Sequence, residues 1–253
     1  MADQIIPVGE GFWNIRGSFR LFGMLDIGTQ ASLVRLGSGK FVVLDAYDYD
    51  ESVSRQVDEL TDGGAAVEAV INTHPFHTVH CKAVARRFAN AKHYGTVRHK
   101  QKFPNIEWQP EASEDPALHD KYADDLGFSV PQGVDFVPSN ENLHFATVLV
   151  FHGRSKALHV DDTLGYFELP LIGGISFHPT FKQVLQPRAG AAAEFRAWAE
   201  DLIERCADVD HLCTAHGKKL PPKPGPGQTV ADQVRAAYAK LDKTLAKHEQ
   251  KYG

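Results

Sequence analysis

The sequence predicts a layered α/β protein with one main body. Short β-branched runs and amphipathic stretches are interspersed, but without the regular βαβ alternation of a doubly wound sheet. Neither GxGxxG after a strand nor GxxxxGK[ST] occurs, so the two standard phosphate-cradling loops are missing from the pattern. At 253 residues the chain is long enough for one large α/β unit or two small domains around a buried core.

The elements follow in order. ASLVRL (31–36) and KFVVLDA (40–46) are β-branched runs separated by Gly-Ser-Gly, which predicts a hairpin ending at Asp45. ESVSRQVDELT (51–61) is helical in pattern, and VEAVINT (67–73) is again a strand. From 81 to 89 the spacing of Ala83, Val84 and Phe88 suits a helix packed on a sheet, and AKHYGT is a short strand running into a turn. Residues 103–133, rich in Pro, Asp and Glu, form a long excursion with a short helix near DPALHDKYADDLG. VDFVP, LHFATVLVFH (143–152) and KALHVDD (156–162) are strands, the last two joined by the turn GRS. AAAEFRAWAEDLIERC places Phe195, Trp198, Leu202, Ile203 and Cys206 on one helical face, and HLCTAHG is a strand ending in a loop.

PPKPGPGQ (221–228) breaks regular structure. It divides the chain into a body, residues 1–220, and a segment 221–253 that is a Pro-rich linker followed by a C-terminal helix. Val230, Val234, Tyr238, Leu241 and Leu245 form the stripe by which that helix packs on the body.

The formal net charge is −5, with charges of both signs interspersed, so nucleic acid and an anionic membrane are excluded as expected partners. MADQIIPVGEGFWNIRG has no basic start and no signal-type apolar run, which makes a cytoplasmic protein the expectation. Cys81, Cys206 and Cys213 are an odd number without CxxC spacing, so no disulfide framework or thiolate zinc site is predicted. Cys81 falls at a helix N-terminus, where a thiolate is favoured, although the adjacent His80 points elsewhere on a helix. The expected partner is a small-molecule substrate, and a homodimer is the one protein assembly admitted.

Any metal here needs nitrogen and oxygen donors, and the chain has 13 histidines. In VINTHPFHTVHCKAVARRF a β-branched run gives way to His74, His77 and His80 on a loop before a helix. Loops at strand ends are where α/β folds place ligands, yet loop histidines also cap turns. Three further metal-capable residues stand at strand ends: His144 in LHFATV, Asp162 in HVDDTLGYF and His216 in CTAHG. His93 and His99 are expected at the surface or a strand edge, His152 and His159 facing solvent, and Tyr166 and His178 in packing.

This ordered series resembles the metallo-β-lactamase superfamily over residues 10–220. VINTHPFHTVH is similar to its THxHxDH motif, the NLHFATV segment to the site of its third histidine, VDDTLGYF to its GDTLF strand end and TAHG to its final GHG. Asp45 stands where the family usually has an aspartate after an early strand. The resemblance implies a four-layer αββα sandwich with the site at one edge of two packed sheets. It implies His74, His77, His80, His144, Asp162 and His216 as metal ligands, with Asp162 favoured over Asp161. The motif is eroded: an extra residue separates His74 from His77, and Val79 stands where the family has an aspartate ligand. The branch it resembles is therefore a divergent one, with one zinc or iron ion expected rather than two, or none if the site is inactive.

A bound ion lowers the pKa of its water toward ~7 and provides hydroxide for attack on an ester, lactone or thioester carbonyl. With Val79 in the aspartate position, Asp162 is the residue expected to orient that water. The expected function is a metal-dependent hydrolase; the alternative is a catalytically inactive protein of the same fold that binds a ligand or partner. A non-haem iron redox protein is the third reading, unsupported by any flavin or rubredoxin signature.

Overall fold

In the computed structural model, residues 2–21, 23–167, 173–217 and 219–253 are described. The N-terminal half contains β1 (Gln4–Gly9), β2 (Phe12–Gly17), the small hairpin β3 (Arg20–Leu21) and β4 (Leu25–Asp26), β5 (Thr29–Arg35), β6 (Phe41–Leu44), α1 (Glu51–Thr61), β7 (Val67–Ile71), α2 (Cys81–Arg87) and β8 (Lys92–Tyr94). Next come α3 (Val97–Lys102), α4 (Pro116–Lys121), β9 (Leu126–Ser129), β10 (Leu149–His152), β11 (Ala157–Val160), β12 (Leu164–Phe167) and β13 (Gly174–Phe177). The chain closes with α5 (Phe181–Val184), α6 (Ala191–Arg205), β14 (His211–Thr214), α7 (Val230–Ala239) and α8 (Asp242–Tyr252).

Among the described residues two main sheets form, in the orders β1-β2-β5-β6-β7-β8 and β14-β11-β10-β9, beside the two-stranded pairs β12-β13 and β3-β4. Side chains alternate across each strand and sort into three apolar layers. Phe12, Val34, Val42, Leu44 and Ile71 of the first sheet meet Val150, Ala157 and Cys213 of the second between the sheets. The opposite face of the first sheet, with Ile15, Leu33, Val43 and Val70, packs on Val53 and Val57 of α1 and Cys81 and Val84 of α2. On the far side of the second sheet, Leu149, Phe151, Leu158, Val160 and Leu212 pack on Phe195, Trp198 and Leu202 of α6 and Val234 of α7. Three layers between four slabs make an αββα sandwich, the architecture expected. In β7 the register slips between Phe41↔Val67 and Val42↔Ala69, so Glu68 bulges out while Val67 still faces the helices and Ala69 faces the other sheet.

Several local expectations are corrected. The strand expected over 143–152 forms only from Leu149; before it the backbone runs irregularly, held by Val148 N–H donating to Thr73 O at 3.0 Å. VDFVP forms an isolated bridge from Val134 to Leu185 rather than a strand. The C-terminal segment is two helices, broken at Lys240–Leu241, and both join the α6 layer through Val230, Val234 and Leu245. The strands β1, β2 and β9 were not expected. Pairing at β1-β2 and β9-β10 widens both sheets. Among the described residues no helix is long and apolar enough to cross a membrane.

The topology positions the site. β6 and β7 run parallel with Leu44 opposite Ile71, and β11 and β14 run parallel with Val160 opposite Thr214. All four strands therefore deliver the residues after their C-terminal ends to one edge of the sandwich.

Candidate metal centre

At that edge His74, His77, His144 and Asp162 each present a donor atom, all within 4.8 Å of one another. Asp162 is the hub. Its Oδ2 lies 3.4 Å from His74 Nε2, 3.5 Å from His77 Nε2 and 3.3 Å from His144 Nδ1, while its Oδ1 lies 3.0 Å from His216 Nε2. The rings are in mutual contact; His74 and His77 stack with centroids 4.1 Å apart. The structure thus gathers five of the six residues expected from the sequence.

His80 is placed apart. It stands at the N-cap position of α2 without a capping hydrogen bond and sits edge-on to the Tyr47 ring, with centroids 5.2 Å apart, outside the group of converging donors. Its displacement follows from the loop: the chain turns at His74–His77, so His80 begins the helix one step beyond the cluster. Val79, 70% exposed, offers no donor at all.

Partners behind three of the rings set how they face the hub. His77 Nδ1 pairs with Asp161 Oδ2 at 3.0 Å, and His216 Nδ1 with Gly28 O at 3.1 Å; with those nitrogens protonated, each Nε2 is turned to Asp162. His74 is set the other way. Its Nδ1 accepts the Phe76 N–H at 3.1 Å, so the neutral ring carries its proton on Nε2, facing Asp162. Asp161 and Asp162 therefore both point inward, where the sequence favoured one over the other: Asp162 faces the rings and Asp161 braces His77.

Beneath the cluster the space between the sheets is polar. Gln30 Nε2 donates to Asp161 Oδ1 at 3.0 Å and to Val160 O at 3.0 Å, and Asn14 Nδ2 donates to Gln30 Oε1 at 3.0 Å. Arg16 Nη2 donates to Gly217 O at 2.7 Å and Nη1 to Thr214 O at 3.1 Å, clamping the loop that carries His216. Asp45 adopts φ 61°, a left-handed conformation that Asp tolerates, and folds its carboxylate onto Thr73 N at 2.7 Å and Thr73 Oγ1 at 2.5 Å. His159 Nε2 meets Asp45 Oδ2 at 2.8 Å, and its Nδ1 lies 3.0 Å from Ser32 Oγ. His159 and His99 are fully buried and His93 and His152 nearly so, which corrects the expectation that they face solvent or an edge. The signal available in the sequence was polar residues at the inward positions of otherwise apolar strands: Asn14 and Arg16 after Phe12, Gln30 and Ser32 before Val34.

Electrostatics follow from burial and these pairs. Burial pushes the His74 ring well below its ordinary pKa, reinforced by the neighbouring His77. Burial also disfavours charge on His77, but the carboxylates of Asp161 and Asp162 overcome it and hold the imidazolium well above the usual range. His216 is raised too, burial being outweighed by Asp162. Asp162 is held well below the usual carboxylate range: burial alone would raise it, and His77 and His74 more than reverse that. The expected thiolate of Cys81 is not supported. Burial, with Asp45 close by, pushes its pKa up to about 12, and its Sγ lies 3.7 Å from Asn72 Oδ1.

A cavity of about 310 Å³ opens on the cluster. Phe19, Ile27, Phe76 and Val79 form its apolar lining, and His178 and Asn142 join His144 and His216 on the polar side. His178, expected only to pack, thus reaches the site; Thr180 N–H donates to its Nδ1 at 3.3 Å. Tyr166 packs against the α6 layer, and the neighbouring residues 168–172 lie outside the described residues.

The donor set fits a metal ion. Two buried atoms of the cluster, His74 Nε2 and Asp162 Oδ1, lack a hydrogen bond of acceptable alignment, although His216 approaches the latter. Imidazole nitrogen and carboxylate oxygen converging from four side chains suit zinc or iron.

The chain has the metallo-β-lactamase fold. It is similar to the solved structure of TMB-1, with a TM-score of 0.64 and 14% identity over 96% of this chain and 98% of that one. FIM-1 from Pseudomonas aeruginosa, solved in a mono-zinc form, aligns with a TM-score of 0.57 and 12% identity over 95% and 96% of the two chains. A flavodiiron core from Synechocystis aligns at 0.56 and 15% identity, over 97% of this chain and 61% of that one. No family sequence profile matches, and no curated protein matches the sequence.

Proposed function

We propose that this chain is a metal-dependent hydrolase of a small ester, lactone or thioester. The observation that carries the reading is the convergence of His74, His77, His144 and Asp162 donors on the wall of a largely apolar cavity. Those four residues would hold the ion, with His216 completing the ring around Asp162. One ion is favoured over two, because Val79 supplies no carboxylate and Asp161 is committed to His77 and Gln30. An ion held by these residues would supply a nucleophile at neutral pH, the pKa of water bound to zinc or iron falling toward ~7.

The chain's own residues do the rest. Asp162 Oδ1, on the His216 side, orients the attacking water and accepts its proton. His216, anchored on Gly28 O, is placed to pass a proton to the leaving group. Phe19, Ile27 and Phe76 hold the apolar part of the substrate and exclude bulk water. The second reading, an inactive binding protein of the same fold, is favoured by Val79 and by the diversion of His80 onto Tyr47.

The test is a screen of p-nitrophenyl esters, lactones and acyl thioesters with zinc-loaded, iron-loaded and chelator-stripped protein. Turnover that depends on the metal and falls at least about 100-fold in Asp162→Asn is expected, the range of a lost general base. Turnover that survives both chelation and Asp162→Asn refutes the hydrolase reading.

A further inference from the structure

The helix α5, which follows His178, and the C-terminal α8 face each other across a groove of about 430 Å³ lined by none of the histidine-cluster residues. Lys182 of α5 and Lys243, Lys247 and Lys251 of α8 line it, with Thr244 and His248. No acidic side chain lines the groove, and among the described residues none of these four lysines has a carboxylate within ion-pair distance.

The acids of α8 are engaged elsewhere. Arg196 of α6 takes Asp242 at 2.9 Å and Glu249 at 2.8 Å, so both carboxylates are drawn to the α6 side of the helix. What remains along the groove is a row of like charges at i, i+4 and i+8, roughly 6 Å apart along the axis. Such pairs destabilise an isolated helix, and among the described residues the row meets no carboxylate; Lys251 alone has an aromatic partner, its Nζ lying 4.7 Å from the Tyr252 ring centroid. The groove walls are fixed, because His248 Nε2 donates to Gln186 O at 2.7 Å and ties α8 to the segment after α5.

We propose that this groove binds a small soluble anion carrying two or more phosphoryl groups. Ammonium groups are point-charge donors well suited to phosphoryl oxygens, and the row of three presents successive donors to successive groups. The ligand is small because the chain as a whole carries −5, so a long polyanion or a bilayer that overlapped the groove would also meet the acidic remainder of the surface.

The test is calorimetric titration of the full chain with inorganic tripolyphosphate, beside the double variant Lys247→Gln, Lys251→Gln, whose exposed positions leave the fold intact by circular dichroism. One tripolyphosphate per chain is expected, weakening as salt is raised, with affinity at least tenfold lower in the variant. Absence of binding overturns the proposal. So does equal binding by the variant, which places the anion elsewhere, the histidine cluster included. Sedimentation with vesicles containing phosphatidylinositol bisphosphate that tripolyphosphate fails to compete away overturns it in favour of a membrane headgroup.

Discussion

At the scale of residues, the centre is a carboxylate ringed by imidazoles, three of them, His74, His77 and His216, oriented by a hydrogen-bond partner on the other ring nitrogen. Asp161 is the clearest of these partners, since it fixes His77 from the far side of the ring. Asp161→Asn keeps the shape but weakens that brace, and metal affinity is expected to fall about 10- to 100-fold, measured by competition with a chromogenic chelator. His74 makes a second prediction. Its Nδ1 accepts the Phe76 N–H, so the neutral ring can offer Nε2 to an ion only by moving its proton to Nδ1 and giving up that hydrogen bond, whereas His77 and His216 hold protons above their ordinary range and must lose them to ligate. Metal uptake should release protons, seen as a dependence of the titration enthalpy on the ionisation enthalpy of the buffer, and it should weaken as the pH falls.

The residue scale also shows what a sequence can carry. His74, His77, His144, Asp162 and His216 were legible because each follows or precedes a β-branched run in an order that one fold explains. The roles of Asp161 and His80 were not. Whether one or both aspartates of a pair point inward depends on where β11 ends and the turn begins, at Val160, and whether His80 reaches the cluster depends on where α2 starts, at Cys81. Both are shifts of one residue, smaller than periodicity can resolve.

At the scale of elements, the site is held by contacts between loops. The turn from β4 to β5 meets the loop after β14 at Gly28, whose carbonyl accepts from His216 and whose own N–H donates to Asp26 at 3.1 Å. Gly28 adopts φ +75°, and a Cβ added there would lie 2.6 Å from Gly217 O. Gly28→Ala therefore combines backbone strain with a clash against a neighbouring main chain. It should cost about 1–3 kcal/mol of stability by denaturant titration and loosen His216, so that metal retention falls with it. The hairpin of β5 and β6 was readable from its Gly-Ser-Gly turn, and α1 from its amphipathic pattern. The strand β2 was not, because its inward positions near the site, Asn14 and Arg16, are polar and break the apolar alternation on which strand recognition rests, and β1 is short, contains Pro7 and shifts register between Pro7 and Gly9.

At the scale of the whole molecule, α6, α7 and α8 share one apolar layer with the second sheet, centred on Phe195. Phe195→Ala should remove about 3–5 kcal/mol and lower the melting temperature by roughly 10 °C as a single transition, the C-terminal helices melting with the body. A separate early transition of the C-terminal segment would show it to be an appendage. The buried histidines predict the pH response. His99, lowered by burial to about 4, and His74, His93, His152 and His178, all lowered mainly by burial, are neutral in the fold but bind protons when the chain unfolds. Their contribution is present above the ordinary histidine value of ~6.5 and is lost as the pH falls through their lower folded values. His77 and His216 act in the opposite sense, but they are fewer. The melting temperature should therefore fall from pH ~6.5 downward, followed by calorimetry in buffers of constant ionic strength.

The central claim is that the cluster around Asp162 holds a metal ion. The measurement that tests it most directly is the metal content of the purified chain, by inductively coupled plasma mass spectrometry, after expression with zinc, iron and manganese supplied. About one zinc or iron per chain is expected in the wild type and loss of that ion in His144→Ala, with the circular dichroism spectrum retained. A wild-type chain that carries no metal, or a His144→Ala variant that keeps its full complement, would contradict it.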